Sequence, residues 1–181
     1  MRRILADHGV LGTDVEWFNR VDDSPNAGDP YRAPKDYRKQ ALASVTTHDL
    51  PPTAGYLNFA HVKLREELHL LSEPVEAFAA SAMAERTAMM NRLVENGYIS
   101  QTVADDVEGH VQEIVEAMHA MLTDTPSLLL QAALVDGVGE CRSQNQPGTS
   151  REYSNWRVPL ADSSGHVYIP TRSSTCHACS P

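Results

Sequence analysis

The sequence predicts an α/β chain, mostly helical by content, built from βα units of the kind that close into a barrel. Three observations predict it. The β-branched run Val45-Thr46-Thr47 stops at His48-Asp49 and Pro51-Pro52; β-branched side chains favour the extended pleat, and the prolines remove two backbone donors. Apolar residues then recur every three or four positions from Val103 to Leu122, the pattern of an amphipathic helix. Finally, the chain reads strand, long loop, strand, helices, short apolar element and polar-aromatic loop, an order that fits βα units. His48 and Asp49 therefore lie where a strand ends and a loop begins, the edge at which α/β folds bind ligands. A His-Asp pair at a strand end is also a common turn or helix-cap arrangement, and these residues alone leave both readings open.

Taken in order, residues 1–8 read as the end of a helix stopped by Gly9, since glycine tolerates the left-handed C-cap conformation. Residues 14–18 alternate polar and apolar and then turn aromatic, which predicts a strand. Residues 19–39 carry Pro25, Pro30 and Pro34 without periodicity and predict a long ordered loop or lid. Tyr31 and Tyr37 within it suit packing anchors more readily than platforms for a ligand. The strand at 42–47 follows. Val62, Leu64, Leu68 and Leu71 form a stripe that predicts a helix over 59–71. Ser72-Glu73-Pro74 opens a further helix, running to Glu95 and ended by Asn96-Gly97. It is expected to bury Val75, Phe78, Ala79, Ala82, Met89, Leu93 and Val94, with Met83, Met89 and Met90 as gap-filling core.

Ser100 starts the most periodic element, expected as one helix through Leu122, in which His110 and His119 read as surface or core residues. The apolar run 128–134 predicts a short buried strand or a helix, because an unbroken run does not distinguish them. Asp136-Gly137-Val138-Gly139 breaks it. Residues 145–149 carry turn chemistry, and Glu152 to Arg157 set polar side chains beside Tyr153 and Trp156. Sugars stack their C–H faces on such rings, but a surface loop pinned by one Trp in the core is the favoured reading on pattern alone. From His166 the pattern dissolves, and 166–181 reads as a disordered tail.

Composition narrows the function. The 181 residues are 41% hydrophobic and 22% charged, a globular composition long enough for one core. A net charge of -9 and an isoelectric point of about 5.3 exclude a general nucleic-acid binder, which needs a basic surface. They suit a neutral substrate such as a sugar. No apolar run approaches the roughly 20 residues of a membrane span. Arg2 and Arg3 are not followed by the apolar stretch of a signal peptide, so a cytoplasmic protein is expected. Three cysteines give no disulfide framework. Cys176 and Cys179 have the spacing of half a zinc site, but a structural site takes four ligands, so no metal is expected.

Three separated segments carry a resemblance. They are Gly9-Val10-Leu11-Gly12-Thr13 with Trp17-Phe18, Ala41 to Pro51 with Ala54-Gly55-Tyr56, and Asn145-Gln146-Pro147-Gly148-Thr149 with Glu152-Tyr153 and Asn155-Trp156-Arg157. In this order, over residues 1–165, the chain resembles the 4-alpha-glucanotransferases, also called amylomaltases or disproportionating enzymes. Pro52 departs from the Thr found there in many members. The resemblance implies the C-terminal part of a (β/α)8 TIM barrel that transfers α-1,4-glucan segments between maltooligosaccharides with retention, with glucose or maltose as acceptor and no cofactor. Such chemistry uses a nucleophilic carboxylate and an acid/base carboxyl around an oxocarbenium-like transition state. By the resemblance, Asp49 is a third carboxylate that stabilises that state, and His48, Asn145 and Trp156 bind substrate.

The family's nucleophile and acid/base precede the Gly-Val-Leu-Gly-Thr segment, and neither Asp7 nor Glu16 fits the acid/base motif. A whole barrel also needs about 250 residues. The chain is therefore expected to lack the covalent step and to be inactive alone. The alternative is a non-catalytic helical module that binds glucan or pairs with another chain. A third possibility, an unrelated helical domain, would gain from an Asp49 buried in a salt bridge far from any cleft.

Overall fold

Three short strands, β1 (Gly12–Val15), β2 (Ala41–Ser44) and β3 (Leu129–Gln131), form a parallel sheet in the order β1-β2-β3 in a computed structural model that describes residues 2–21 and 29–168. Gly12 pairs with Ala41 and Val15 with Ser44, while Leu42 pairs with Leu129 and Ser44 with Gln131. Parallel neighbours need long crossovers. Between β2 and β3 that crossover is helical: α2 (Thr53–Leu57), α3 (Ala60–Glu67), α4 (Val75–Glu95), α5 (Gln101–Asp105) and α6 (Val111–Thr123). A short α1 (Arg2–Asp7) precedes β1, and α7 (Leu134–Gly137) follows β3.

α6 packs on β2 and α2. Ala41 and Ala43 of β2 are fully buried, and α6 turns Ile114, Val115, Met118, Met121 and Leu122 inward. α4 closes the core with Met89, Met90 and Leu93. Gly97 ends α4 at φ +77°, the left-handed conformation that only glycine adopts without steric cost. Tyr31 and Tyr37 are buried packing residues, as expected.

Several expectations are corrected. The 14–18 strand stops at Val15, and Glu16–Phe18 form a 3-10 turn. That turn buries both Glu16 and Trp17, whereas a strand with one solvated face would place successive side chains on opposite faces and bury only one of them. Inside, Glu16 meets Arg92 at 2.6 Å and accepts a hydrogen bond from the Tyr37 hydroxyl, which in turn receives one from Arg92 at 2.9 Å. Burial pushes the Glu16 carboxyl above the usual range, against the opposing pull of Arg92 and Tyr37. The 42–47 strand also ends early, at Ser44, because Thr46 turns its hydroxyl onto the Pro51 carbonyl at 2.9 Å.

The expected helix 59–71 shortens to α3, Ala60–Glu67, and the stretch leading into it forms the separate helix α2, with Phe59 between the two at φ +57°. The expected helix from Ser100 divides. Ser100 caps α5 by accepting from the Val103 amide at 3.3 Å. The Asp106 carboxylate then accepts from the Gly109 amide at 3.2 Å, a local bond that competes with the helical one. Met83 is exposed rather than core. In 128–134 the strand is β3, but it is exposed along its length: it is an edge strand, and the helical layer packs through α6 on its neighbour β2. The expected loop 19–39 contains a 3-10 turn at Pro34–Asp36, and its Pro25 lies outside the described residues. So do Cys176, Cys179 and the tail beyond 168, although Val167 bridges to Ala161.

Candidate functional site

The polar residues gather past the C-terminal end of β2. Thr46 to Pro52 leave the sheet as a tight loop, braced by the Thr46–Pro51 bond and by the Leu50 amide donating to the Thr47 carbonyl at 3.2 Å. The Asp49 amide donates to the Thr47 hydroxyl at 3.3 Å. These bonds turn the His48 and Asp49 side chains outward, where 63% and 51% of their surfaces are accessible and the imidazole Nε2 lies 3.3 Å from the Asp49 carboxylate.

The loop is anchored from below. Asp136 of α7 is fully buried. It accepts from the Thr53 amide at 2.7 Å, from the Thr53 hydroxyl at 2.8 Å and lies 3.0 Å from His119 Nε2. The first turn of α2, immediately after the loop, is thereby tied to α6 and α7. A side chain at Gly55 would place its Cβ 2.2 Å from the Cys141 carbonyl, so only glycine lets α2 lie against that backbone.

The opposing wall is the segment 140–157. Glu140, also buried, accepts from the Cys141, Arg142 and Ala161 amides and from the Arg142 guanidinium. Burial raises the Glu140 carboxyl, but those donors outweigh it and hold it below the usual range. Further on, the Tyr153 hydroxyl donates to the Ser143 carbonyl at 2.6 Å, and the Trp156 amide to the Gln144 carbonyl at 2.8 Å. The segment is thus a closed loop presenting Asn145 and Trp156 on one side.

Asn145 Nδ2 donates to Asp49 Oδ1 at 2.7 Å, across 96 residues of sequence. The Trp156 ring stands 5.3 Å from the His48 ring, tilted by 39°. The fold therefore brings His48, Asp49, Asn145 and Trp156 together. The expectation of a Trp pinned in the core is overturned: Trp156 is 65% exposed. The buried tryptophan is Trp17, stacked on Tyr56 at 4.1 Å. Trp156 also sits at φ +63°, a conformation that costs a bulky residue roughly 1–2 kcal/mol. Asp49 is not buried in a salt bridge, which removes the basis for an unrelated helical domain.

Sequence reasoning missed Asp136, read only as part of a turn, and gave no task to Asn155. The signal for Asp136 was weak: a carboxylate next to a glycine is ordinary turn chemistry until Thr53, 83 residues away, is seen to meet it. A carboxylate held by an amide, beside an imidazole and an exposed indole, offers hydrogen-bond acceptors and donors next to an apolar ring face. Among the described residues, no group of three or more His, Cys, Asp or Glu side chains is arranged to hold a metal ion.

This is an α/β chain with its polar cluster past the carboxyl end of a parallel strand, where such folds bind ligands. Comparison with known proteins goes further: residues 1–164 match the 4-alpha-glucanotransferase family, and the chain belongs to that family. It is 49% identical over 169 residues to the 4-alpha-glucanotransferase of Mycobacterium tuberculosis (strain H37Rv), covering 93% of this chain and 23% of that protein. The 4-alpha-glucanotransferase of Haemophilus influenzae is 24% identical over 136 residues, 74% of this chain and 20% of that one. The crystal structure of amylomaltase from Corynebacterium glutamicum superposes with a TM-score of 0.84 at 38% identity, covering 93% of this chain and 24% of that one. The chain spans about a quarter of the length of these relatives.

Proposed function

We propose that residues 1–165 are the C-terminal portion of a (β/α)8 barrel and supply the glucan-holding edge of a 4-alpha-glucanotransferase. The reaction transfers α-1,4-glucan segments between maltooligosaccharides with retention and accepts glucose or maltose. A cytoplasmic location goes with this reading. The observation that carries it is the 2.7 Å bond from Asn145 to Asp49. Positive charge develops on the sugar ring in the oxocarbenium-like transition state. A carboxylate already held in place stabilises that charge without having to reorganise as it forms. Asp49 is the third carboxylate in this reading, a stabiliser rather than the nucleophile. His48 and Asn145 bond sugar hydroxyls, and the exposed Trp156 ring stacks on a sugar face. The Glu-Asp-Leu-Gly motif that carries the family's acid/base does not occur in the sequence. The 181-residue chain is accordingly expected to bind glucan without turning it over.

Calorimetric titration with maltoheptaose tests this. The wild-type chain should give saturable heats, and Asp49→Ala or Trp156→Ala should weaken binding about tenfold or more, the worth of one charged hydrogen bond or a stacking contact. Wild-type heats that Asp49→Ala leaves unchanged would remove Asp49 from the site. Maltotriose disproportionation by the purified chain, abolished by Asp49→Asn, would refute the expected lack of turnover.

A second reading, pairing with another polypeptide, is favoured by one observation. Leu129 and Leu130 on the edge strand β3 are about half exposed, and an open edge of this kind accepts a further strand.

A further inference from the structure

We infer that Asn155 is a positioning residue that fixes the distance between Asn145 and Trp156, and through them the geometry around Asp49 and His48. The inference rests on the glucan-site reading only for what the site binds; the geometry stands apart from it.

Asn155 lies beside Trp156 in sequence, yet its side chain reaches back to the residues next to Asn145. Its Oδ1 accepts from the Gln146 amide at 2.8 Å. Its Nδ2 donates to the Thr149 hydroxyl at 2.8 Å and, more weakly, to the Thr149 carbonyl at 3.3 Å. The Thr149 hydroxyl in turn donates to the Gln146 carbonyl at 2.7 Å. One amide side chain thus uses its donor and its acceptor to close the turn 146–149 onto the strand of loop that carries Trp156. With the Trp156 amide on the Gln144 carbonyl at 2.8 Å, Asn145 is bracketed: the residues on both sides of it are bonded to the Asn155-Trp156 dipeptide.

Two features need this bracket. Trp156 is exposed and in a left-handed conformation, so burial does not hold its ring beside His48. Asn145, the partner of Asp49, is only half-buried, and a side-chain amide that burial does not lock keeps one rotamer only when its backbone is fixed. Alanine cannot replace Asn155, because it offers neither donor nor acceptor. Aspartate keeps the acceptor for the Gln146 amide and loses the donor to Thr149.

The test uses the full chain in solution. It holds two tryptophans, Trp17 and Trp156, so two indole N–H resonances report independently: Trp17 on the core and Trp156 on the site. In the wild type both should have order parameters in the rigid range near 0.85. In Asn155→Ala the Trp156 value should fall below about 0.6, the flexible range, with Trp17 unchanged. Asn155→Asp should recover part of the loss. If Asn155→Ala also perturbs Trp17, Thr149→Val, which removes only the hydroxyl Asn155 bonds, should still loosen Trp156 while sparing Trp17. A Trp156 that stays rigid in either variant with Trp17 intact overturns the inference. A maltoheptaose titration followed on the Trp156 resonance separates the two readings. Saturable shifts weakened about tenfold by Asn155→Ala support both. A wild-type chain that does not respond to the sugar sinks the glucan reading and leaves the positioning result to the order parameters.

Discussion

His61 shows how one buried group makes the stability of this chain depend on pH. Its ring stacks on Tyr56 at 4.3 Å, and Tyr56 stacks on Trp17 at 4.1 Å, so the imidazole belongs to a ring column joining α3 to the turn after β1. Burial, and next the positive charge of Arg65, lower its pKa from 6.5 to about 4. Between these values the unfolded chain binds a proton that the folded chain refuses, so stability falls as pH drops from about 6.5 towards 4. A shift of this size corresponds to a few kcal/mol, on the order of 3, once pH reaches the folded-state value. His61→Phe keeps an aromatic ring on Tyr56 and removes the proton. Urea midpoints measured from pH 4 to 7 should therefore slope less steeply in His61→Phe than in the wild type. Equal slopes in the two proteins would mean that His61 does not control this window.

At the scale of elements, the Glu16–Arg92–Tyr37 cluster ties the turn after β1 to α4. Arg92 and Glu16 are buried and 2.6 Å apart. Removing one member of such a pair strands the other charge out of water, a loss of about 3–5 kcal/mol. Arg92→Ala should show this loss by urea denaturation at pH 7, and adding Glu16→Gln should restore part of it by removing the stranded charge. A single variant as stable as wild type would mean that Glu16 is not charged in the fold. The same cluster explains what was legible in the sequence. The periodic stretches that became α4 and most of α6 could be read because their signal is local and repeats. Glu16 could not, since its partner lies 76 residues away and an acidic residue in an alternating run reads as the solvent side of a strand. The break at Asp106 was hidden by an apolar period that continues across it. In the site, His48 and Asp49 were visible as a strand-end pair. Asn145 and Trp156 entered through the motifs they share with the glucanotransferases, because no local pattern reports a contact across 96 residues or a left-handed Trp.

For the whole molecule, the governing feature is the sheet. Among the described residues, three parallel strands leave β1 and β3 as edges, and β3 adds leucines to a backbone unpaired on one side: Leu129 is 51% exposed and Leu134, just beyond it, 73%. Parallel strands are normally buried on both faces, so the apolar composition of 128–134 is that of an inner strand, which is why burial was expected there. An edge that is apolar and unpaired is a template for another chain. The formal charge of -9 opposes association, but only over roughly 8–10 Å at physiological salt, whereas strand pairing operates in contact. The chain should therefore self-associate in the micromolar to millimolar range, and more so as salt screens the repulsion. Sedimentation equilibrium at two ionic strengths measures this. Leu129→Lys, which sets a charge on the edge as natural edge strands do, should shift the chain towards monomer while leaving its helical circular dichroism unchanged. A wild-type chain that stays monomeric at both salts would show that the β3 edge does not drive association. A Leu129→Lys chain that associates as strongly as wild type would move the contact to a different surface, with the leucines near β3 as bystanders.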